Sequence, residues 1–437
     1  MTRAENQAET TAAVTISRLG AKGDGIADTP AGPLFVAYAL PGETVRVGPV
    51  NSTAAGARAE LVSITAPSPQ RNDPYCALFT RCGGCTAQHM DDEVYSDWKR
   101  SNLVTALERA FNQIALPAVE PLVNAHGAGR RRVSFHGRII DNKPAIGFMA
   151  PRTHSLIPIE HCPLLTEGLK QAPATALRLA QVLFARRKPL DFKITATTAG
   201  LDADIRGHGP ANDDETRQLA DAAMALDLAR LSLHGERIIE RRAAAVPMGK
   251  AMVTPPAGGF LQATDLGEET LARLVREACA AAPRKVKRAA DLFAGCGPFA
   301  LRLAEFAEVH AVEGDAPSLT ALNAAFRSTA GLKKITTEVR DLFRRPLLPK
   351  ELNQFDAVVF DPPRAGAEAQ ARQLALSEVP LVIGVSCDAA TFARDARLLV
   401  DGGYTIQRIT PVDQFRHSAH IETVGIFTRP PVAKRRR

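Results

Sequence analysis

The sequence predicts an α/β protein. Its C-terminal part reads as a doubly wound, seven-stranded parallel sheet, preceded by a small OB-like barrel and an α+β middle domain. Three observations carry this. Beyond residue 261, seven apolar runs of strand length alternate with helical stretches, the pattern of a parallel sheet covered on both faces. Two of these runs end in reactive groups, Asp361 and the pair Ser386-Cys387. In such sheets, ligands gather just beyond the carboxyl ends of the strands. Residues 1–66 instead break into short strand-like runs separated by glycine and proline turns, as in a small Greek-key barrel.

Bulk composition sets the bounds. The chain has 437 residues, enough for two to four domains, and its 45% hydrophobic content is that of an ordinary globular protein. No run approaches the roughly 18 apolar residues of a membrane span, and the polar N-terminus has no apolar signal core. A cytoplasmic monomer without membrane contact is the expectation. The net charge of +7, from 54 basic and 47 acidic residues, suits a nucleic-acid partner. The Lys434-Arg435-Arg436-Arg437 run reads as a solvated tail able to touch phosphate. Seven cysteines, an odd number, in a reducing compartment point to metal binding or catalysis rather than disulfides.

Along the chain, residues 1–12 are polar and expected to be disordered. Val14–Gly25 alternates apolar residues into a glycine-rich turn, and the runs Leu34–Ala39, Glu43–Val47 and Ala57–Thr65 follow. In Ile16-Ser-Arg-Leu-Gly-Ala-Lys-Gly-Asp-Gly-Ile-Ala27 and Ala39-Leu-Pro-Gly-Glu-Thr-Val45 this stretch resembles the TRAM domain, an RNA-binding barrel of RNA-modifying enzymes. Pro67–Pro74 reads as a linker into a middle domain spanning 67–260. Cys76, Cys82 and Cys85 are spaced C-x5-C-x2-C, and the two-residue gap turns two sulfurs toward one point while Gly83 and Gly84 let the backbone pass close. Cys162 is the remaining cysteine of this half and the candidate fourth ligand. Four thiolates fit zinc or an iron–sulfur cluster, and spacing does not choose between them. A helix over 97–112 places Leu103, Val104, Leu107, Ala110 and Phe111 on one face. Arg130-Arg131-Arg132 opens a strand, either holding a phosphate or as a solvated strand end.

The third domain, 261–437, carries the chemistry. Its first strand runs into Asp291-Leu-Phe-Ala-Gly-Cys-Gly-Pro-Phe299, where Gly295 and Gly297 let a ligand approach the backbone. The second strand ends in Glu313, where a ribose-binding acid sits, and the third is followed by Asp341. Acids at three strand ends with a Gly-x-Gly turn resemble class I S-adenosylmethionine methyltransferases; a nicotinamide dehydrogenase would share half of this. Amine N-methyltransferases carry an aromatic after the two prolines, whereas Arg364 stands here. Cys387 suits methylation of a pyrimidine C5. Thiolate attack on C6 makes C5 nucleophilic, and a base must then remove the C5 proton. Cys279, among alanines, reads as core, and Cys296 as a small residue facing the turn backbone.

Phe360-Asp-Pro-Pro-Arg-Ala-Gly366, Val385-Ser-Cys-Asp-Ala-Ala-Thr-Phe-Ala-Arg-Asp395 and Gln414-Phe-Arg-His-Ser-Ala-His-Ile-Glu422 resemble the signature motifs of the RNA 5-methyluridine methyltransferases. The likeness extends over the TRAM-like start, the cysteine set and Gly259-Phe-Leu-Gln262. It implies that Cys387 is the nucleophile and Glu422 the base. It places Gln262, Phe293, Glu313 and Asp361 around S-adenosylmethionine, with Asp361 and Arg364 also near the target base. It implies a [4Fe–4S] cluster on Cys76, Cys82, Cys85 and Cys162, and a segment 93–124 packed on the catalytic domain. The 23S ribosomal RNA branch fits the barrel and the cysteine set better than the transfer RNA branch. An RNA-binding metalloprotein without catalysis is the rival from another class. The chain departs from the family at Asp388-Ala389, where Asn-Pro is usual, at Arg416, usually Pro, and at Ser418, usually Thr.

Overall fold

The computed structural model describes residues 12–53, 56–112 and 114–429. Residues 1–11 and the Lys434–Arg437 run, with the expectations placed on them, lie outside these. The chain divides into two compact units. The first comprises Met1–Asn102, Ala150–Thr153 and Arg416–Ala419, and the second the remainder.

In the first unit, Ala12–Thr15, Thr44–Val47 and Leu61–Ala66 form an antiparallel three-stranded sheet. A five-stranded sheet runs, in spatial order, Arg18–Leu19, Gly25–Thr29, Gly32–Val36, Gly56–Ala59, Asn51–Thr53. The run Ala57–Thr65, expected as one strand, is two: Glu60 falls between them, and the chain leaves one sheet for the other there. Ile16, Val36, Ala39, Val45 and Val47 are buried between the strands. Gly25 is required, because a Cβ there would lie 2.7 Å from the Ala39 carbonyl oxygen. The proline-rich linker is tied down. Arg71 Nε sits 2.6 Å from a carboxylate oxygen of fully buried Glu43, and Ser68 N–H donates to the same carboxylate.

The second unit holds a two-stranded hairpin, Val246–Met248 with Ala251–Val253, and two larger sheets. The first has seven strands between residues 132 and 240 and packs against helices Ala172–Val182 and Asp213–Ala225. Its hairpin Arg132–Ile140/Lys143–Met149 turns through Asp141 and Asn142, both at positive φ (47° and 59°), which Asp and Asn tolerate best among residues with a side chain.

The second sheet carries β1 (Val123–Asn124), β2 (Arg288–Leu292), β3 (Glu308–Glu313), β4 (Ile335–Val339), β5 (Ala357–Phe360), β6 (Leu381–Ser386), β7 (Thr405–Asp413) and β8 (Glu422–Thr428), in spatial order β4-β3-β2-β5-β6-β8-β7-β1. Strands β2 to β6 are parallel, as the alternating pattern predicts. The last two differ, since β8 inserts antiparallel between β6 and β7. The reason is length. Residues 414–421 join β7 to β8, too few for the crossover of a dozen or more that parallel neighbours need. Apolar runs suit strands covered on both faces. Ala289, Val309, Val359 and Ile383 face one core, and their neighbours Ala290, Leu292, Val358 and Val382 face the other. Leu103, Leu107 and Phe111, from the second half of helix Asp92–Phe111, belong to that second core.

Candidate active site

Two buried strands deliver the reactive groups. β5 ends in Asp361-Pro-Pro-Arg364 and β6 in Cys387. Asp388 then caps helix Ala389–Asp401, its Oδ1 accepting from Ala390 N–H (3.0 Å) and Thr391 N–H (2.9 Å). This accounts for the departure from Asn-Pro. Asp and Asn are equivalent caps, and the first helical position that Pro favours also accepts Ala. The helix starts directly after the thiol-bearing residue.

Glu422 opens β8 and is buried. From it a row of side chains runs across the strand ends. Gln414 Nε2 donates to Glu422 Oε1 (2.9 Å) and to Gln262 Oε1 (2.6 Å), and Gln262 Nε2 donates to Asp361 Oδ2 (3.0 Å). Gln414 Oε1 accepts from Ala263 N–H at 2.8 Å. Each amide thus uses oxygen and nitrogen consistently, and the row joins three of the expected residues through one that sequence reasoning passed over. Gln414 opens one of the family motifs, which is the signal that could have marked it; a glutamine alone suggests no chemistry.

The thiol stays protonated. Burial, then the nearby charges of Glu422 and Asp361, push Cys387 up to about 12, against the opposing Arg364 guanidinium. Burial raises Asp361 to about 7, although the Gln262 hydrogen bond favours its anion. Since the raised thiol is the favoured form everywhere below its pKa, acidification suppresses the thiolate and alkalinity releases it. Alkylation of Cys387 by iodoacetamide, followed by peptide mass spectrometry, is therefore expected to accelerate about tenfold per pH unit from pH 7 to 10 with no plateau. Levelling near pH 8 would mark an ordinary thiol.

Arg364 lies against His420, with Nη2 2.8 Å from the ring Nε2. Because guanidinium only donates, that nitrogen is the acceptor.

The cofactor side is a turn. β2 leads into Phe293 (φ 60°), Gly295 (φ 51°) and Gly297 (φ 90°). At Gly297 a Cβ would lie 2.3 Å from Leu322 Cδ1, so only glycine fits. Glu313, at the end of β3, accepts from Gly295 N–H (3.0 Å) and Asp315 N–H (2.9 Å). Asp341 lies beyond β4 and accepts from Phe343 N–H (3.0 Å), and the Phe343 and Phe293 rings are 5.3 Å apart. Cys279 and Cys296 are buried, with thiols raised to about 12 and about 11, mainly by burial. Both are packing thiols, as expected.

Arg131 is spent internally. Its buried guanidinium donates to the Gln262 carbonyl (3.0 Å), Asp265 (2.7 Å) and Glu268 (2.5 Å). It positions the Gln262 backbone and is not available to a phosphate. Arg130 and Arg132 lie instead over the rings of Phe415 (5.9 Å) and Phe260 (5.0 Å).

Cys76, Cys82 and Cys85 belong to the first unit and Cys162 to the second, all half-buried. Among the described residues no three His, Cys, Asp or Glu side chains are grouped so as to hold a metal ion.

The strand order with its antiparallel β8, and the glycine turn beneath Glu313, define a class I S-adenosylmethionine-dependent methyltransferase. A solved structure shares the fold: the tRNA (uracil-54, C5)-methyltransferase of Pyrococcus abyssi in complex with S-adenosyl-L-homocysteine superposes with a TM-score of 0.73 over 95% of this chain and 99% of that one, at 18% identity. Residues 267–429 match the family described as tRNA (uracil-5-)-methyltransferase. An RNA methyltransferase of Mesorhizobium japonicum, without an assigned substrate, is 43% identical, covering 95% of this chain and 98% of its own. The 23S rRNA (uracil(1939)-C(5))-methyltransferase RlmD of Chromohalobacter salexigens is 36% identical, covering 95% of this chain and 89% of its own. The chain belongs to the RNA uracil-C5 methyltransferase family.

Proposed function

We propose that this enzyme methylates C5 of a uridine in 23S ribosomal RNA through a covalent adduct between Cys387 and C6. The observation that carries the reading is the row Asp361–Gln262–Gln414–Glu422 at the strand ends that also deliver Cys387. Arg364 and Asp361 hold the uracil. The Cys387 thiol gives its proton to solvent as the sulfur bonds to C6, and the electron pair of the C5–C6 double bond moves onto the C4 carbonyl oxygen as an enolate. C5 then takes the methyl group from the sulfonium of S-adenosylmethionine. Glu422 removes the C5 proton, the double bond re-forms, and the C6–S bond breaks to release the thiolate, which takes a proton back from solvent. Gln262, Phe293, Gly295, Glu313, Asp341 and Asp361 bind the methyl donor. Support for 23S rRNA as substrate is the full-length likeness to the relative named for it.

In the same reading residues 1–66 are a TRAM-like barrel that binds RNA, 67–260 carry the cluster, and 261–437 transfer the methyl group, in a cytoplasmic monomer. Cys76, Cys82, Cys85 and Cys162 would hold a [4Fe–4S] cluster, which supplies a redox-active structural centre and enters no step above. The all-thiol donor set favours it. So do two buried groups on the segment after Cys85: the Gln88 Nε2 and both His89 ring nitrogens are without a hydrogen-bond partner, and Gln88 Oε1 accepts from Cys76 N–H at 3.2 Å.

The test is to map 5-methyluridine separately in 23S rRNA and tRNA from cells lacking the protein. Loss of one modified site in 23S rRNA is expected. Loss confined to tRNA moves the substrate to the other branch, and an unchanged map in both removes the proposal. Iron and sulfide analysis of anaerobically purified protein tests the cluster independently, with about four irons expected and zinc alone counting against it.

A further inference from the structure

Arg416 has no part in the methyl-transfer site described above. Its side chain is exposed, and among the described residues its guanidinium has no carboxylate partner. It lies 5.9 Å from the centroid of the Tyr75 ring, itself 52% exposed. The pair rests on a fixed base. The Tyr75 ring packs at 5.6 Å against His417, which is buried. His417 is held in turn at both backbone groups: its N–H donates to Tyr95 Oη (2.9 Å), and its carbonyl accepts from Thr86 N–H (2.7 Å). All of these residues belong to the first unit.

We infer that Tyr75 and Arg416 form a stacking platform for an unpaired nucleotide that flanks the target uridine in the substrate RNA. The inference rests on RNA being the substrate, and not on the C5 chemistry. Unpaired bases are read by stacking on aromatic rings and guanidinium planes, and a guanidinium also supplies N–H donors to phosphate. An exposed ring held from beneath keeps a face for a base without an ordering cost. Arg416 precedes Glu422 by six residues, a span an extended chain covers in about 20 Å. The occupant is therefore a nucleotide within a few positions of the uridine.

The experiment uses the full chain and a short fluorescein-labelled stem–loop RNA with a single uridine in its loop, read by anisotropy. Tyr75→Ala and Arg416→Ala are each expected to weaken binding about tenfold, the scale of one lost base stack. Tyr75→Phe should keep wild-type affinity, because the ring face remains. One abasic substitution beside the uridine should cost the wild type the same tenfold and cost Tyr75→Ala nothing further. Turnover at saturating RNA and affinity for S-adenosylmethionine should not change. Binding within twofold of wild type for both alanine variants overturns the inference. So does a fall in turnover with RNA affinity unchanged, which would make the pair a support for the fold. Losses from Tyr75→Ala and the abasic residue that multiply at every loop position overturn it too. Methyl transfer is scored separately with wild-type enzyme, so failure of the uridine chemistry leaves the binding result standing.

Discussion

Cys387→Ala is expected to abolish methyl transfer to RNA, a loss of about 10⁴-fold or more, the scale of removing an enzyme nucleophile. Without the bond to C6, C5 of uracil is too weak a nucleophile to attack a sulfonium methyl group, and no neighbouring side chain can replace the thiol. The effect belongs to chemistry and not to folding. Cys387 is half-buried, and the cap of the following helix comes from Asp388. The Asp361–Gln262–Gln414–Glu422 row does not pass through the sulfur. Binding of S-adenosylmethionine, measured by calorimetry, should therefore stay near the wild-type value while transfer of labelled methyl disappears. Turnover within tenfold of wild type would rule out the covalent route.

Glu422→Gln separates the steps. A glutamine at 422 keeps an oxygen for Gln414 Nε2, so the row survives, but it cannot take a proton. Attack by Cys387 and methylation at C5 should proceed, and release should stall, lowering turnover by about 10²- to 10⁴-fold, the usual weight of a general base. The expected product is protein joined to methylated RNA, seen as a band that withstands denaturation and vanishes in the Cys387→Ala background. Full turnover with no such band would assign proton removal to another group.

Much of this site is legible in the sequence, for a physical reason. Asp361 and Cys387 each follow an uninterrupted apolar run, and in a parallel sheet such a run delivers its last polar residue to the ligand edge. Gly297 and Glu313 are legible because a turn passing close to a ligand and an acid at the next strand end have fixed spacing. Gln414 is not. Its partners Gln262 and Glu422 lie 152 and 8 residues away, and only the fold brings the three together. Arg131 shows the opposite error. Three consecutive arginines suggest an open basic patch, yet the middle one sits in a bend just before the strand and turns inward to Glu268 and Asp265. The antiparallel β8 is hidden for a third reason: a strand's direction depends on the length of the connection before it, and residue pattern alone does not state it.

The protonated state of Cys387 bears on how the protein survives its own reagent. S-adenosylmethionine is an electrophile that methylates thiolates, and in the proposed site it binds beside the sulfur proposed as nucleophile. A permanent thiolate there would be converted to a methyl thioether, an irreversible end to that molecule's working life. Burial and the two carboxylates that push Cys387 up to about 12 keep the sulfur as an inert S–H while it waits with the donor bound. In the proposed mechanism the reactive form is needed only once uracil is present to consume it. With Cys387 as the proposed nucleophile, the electrostatics that make it look sluggish at rest would also spare it suicide by cofactor.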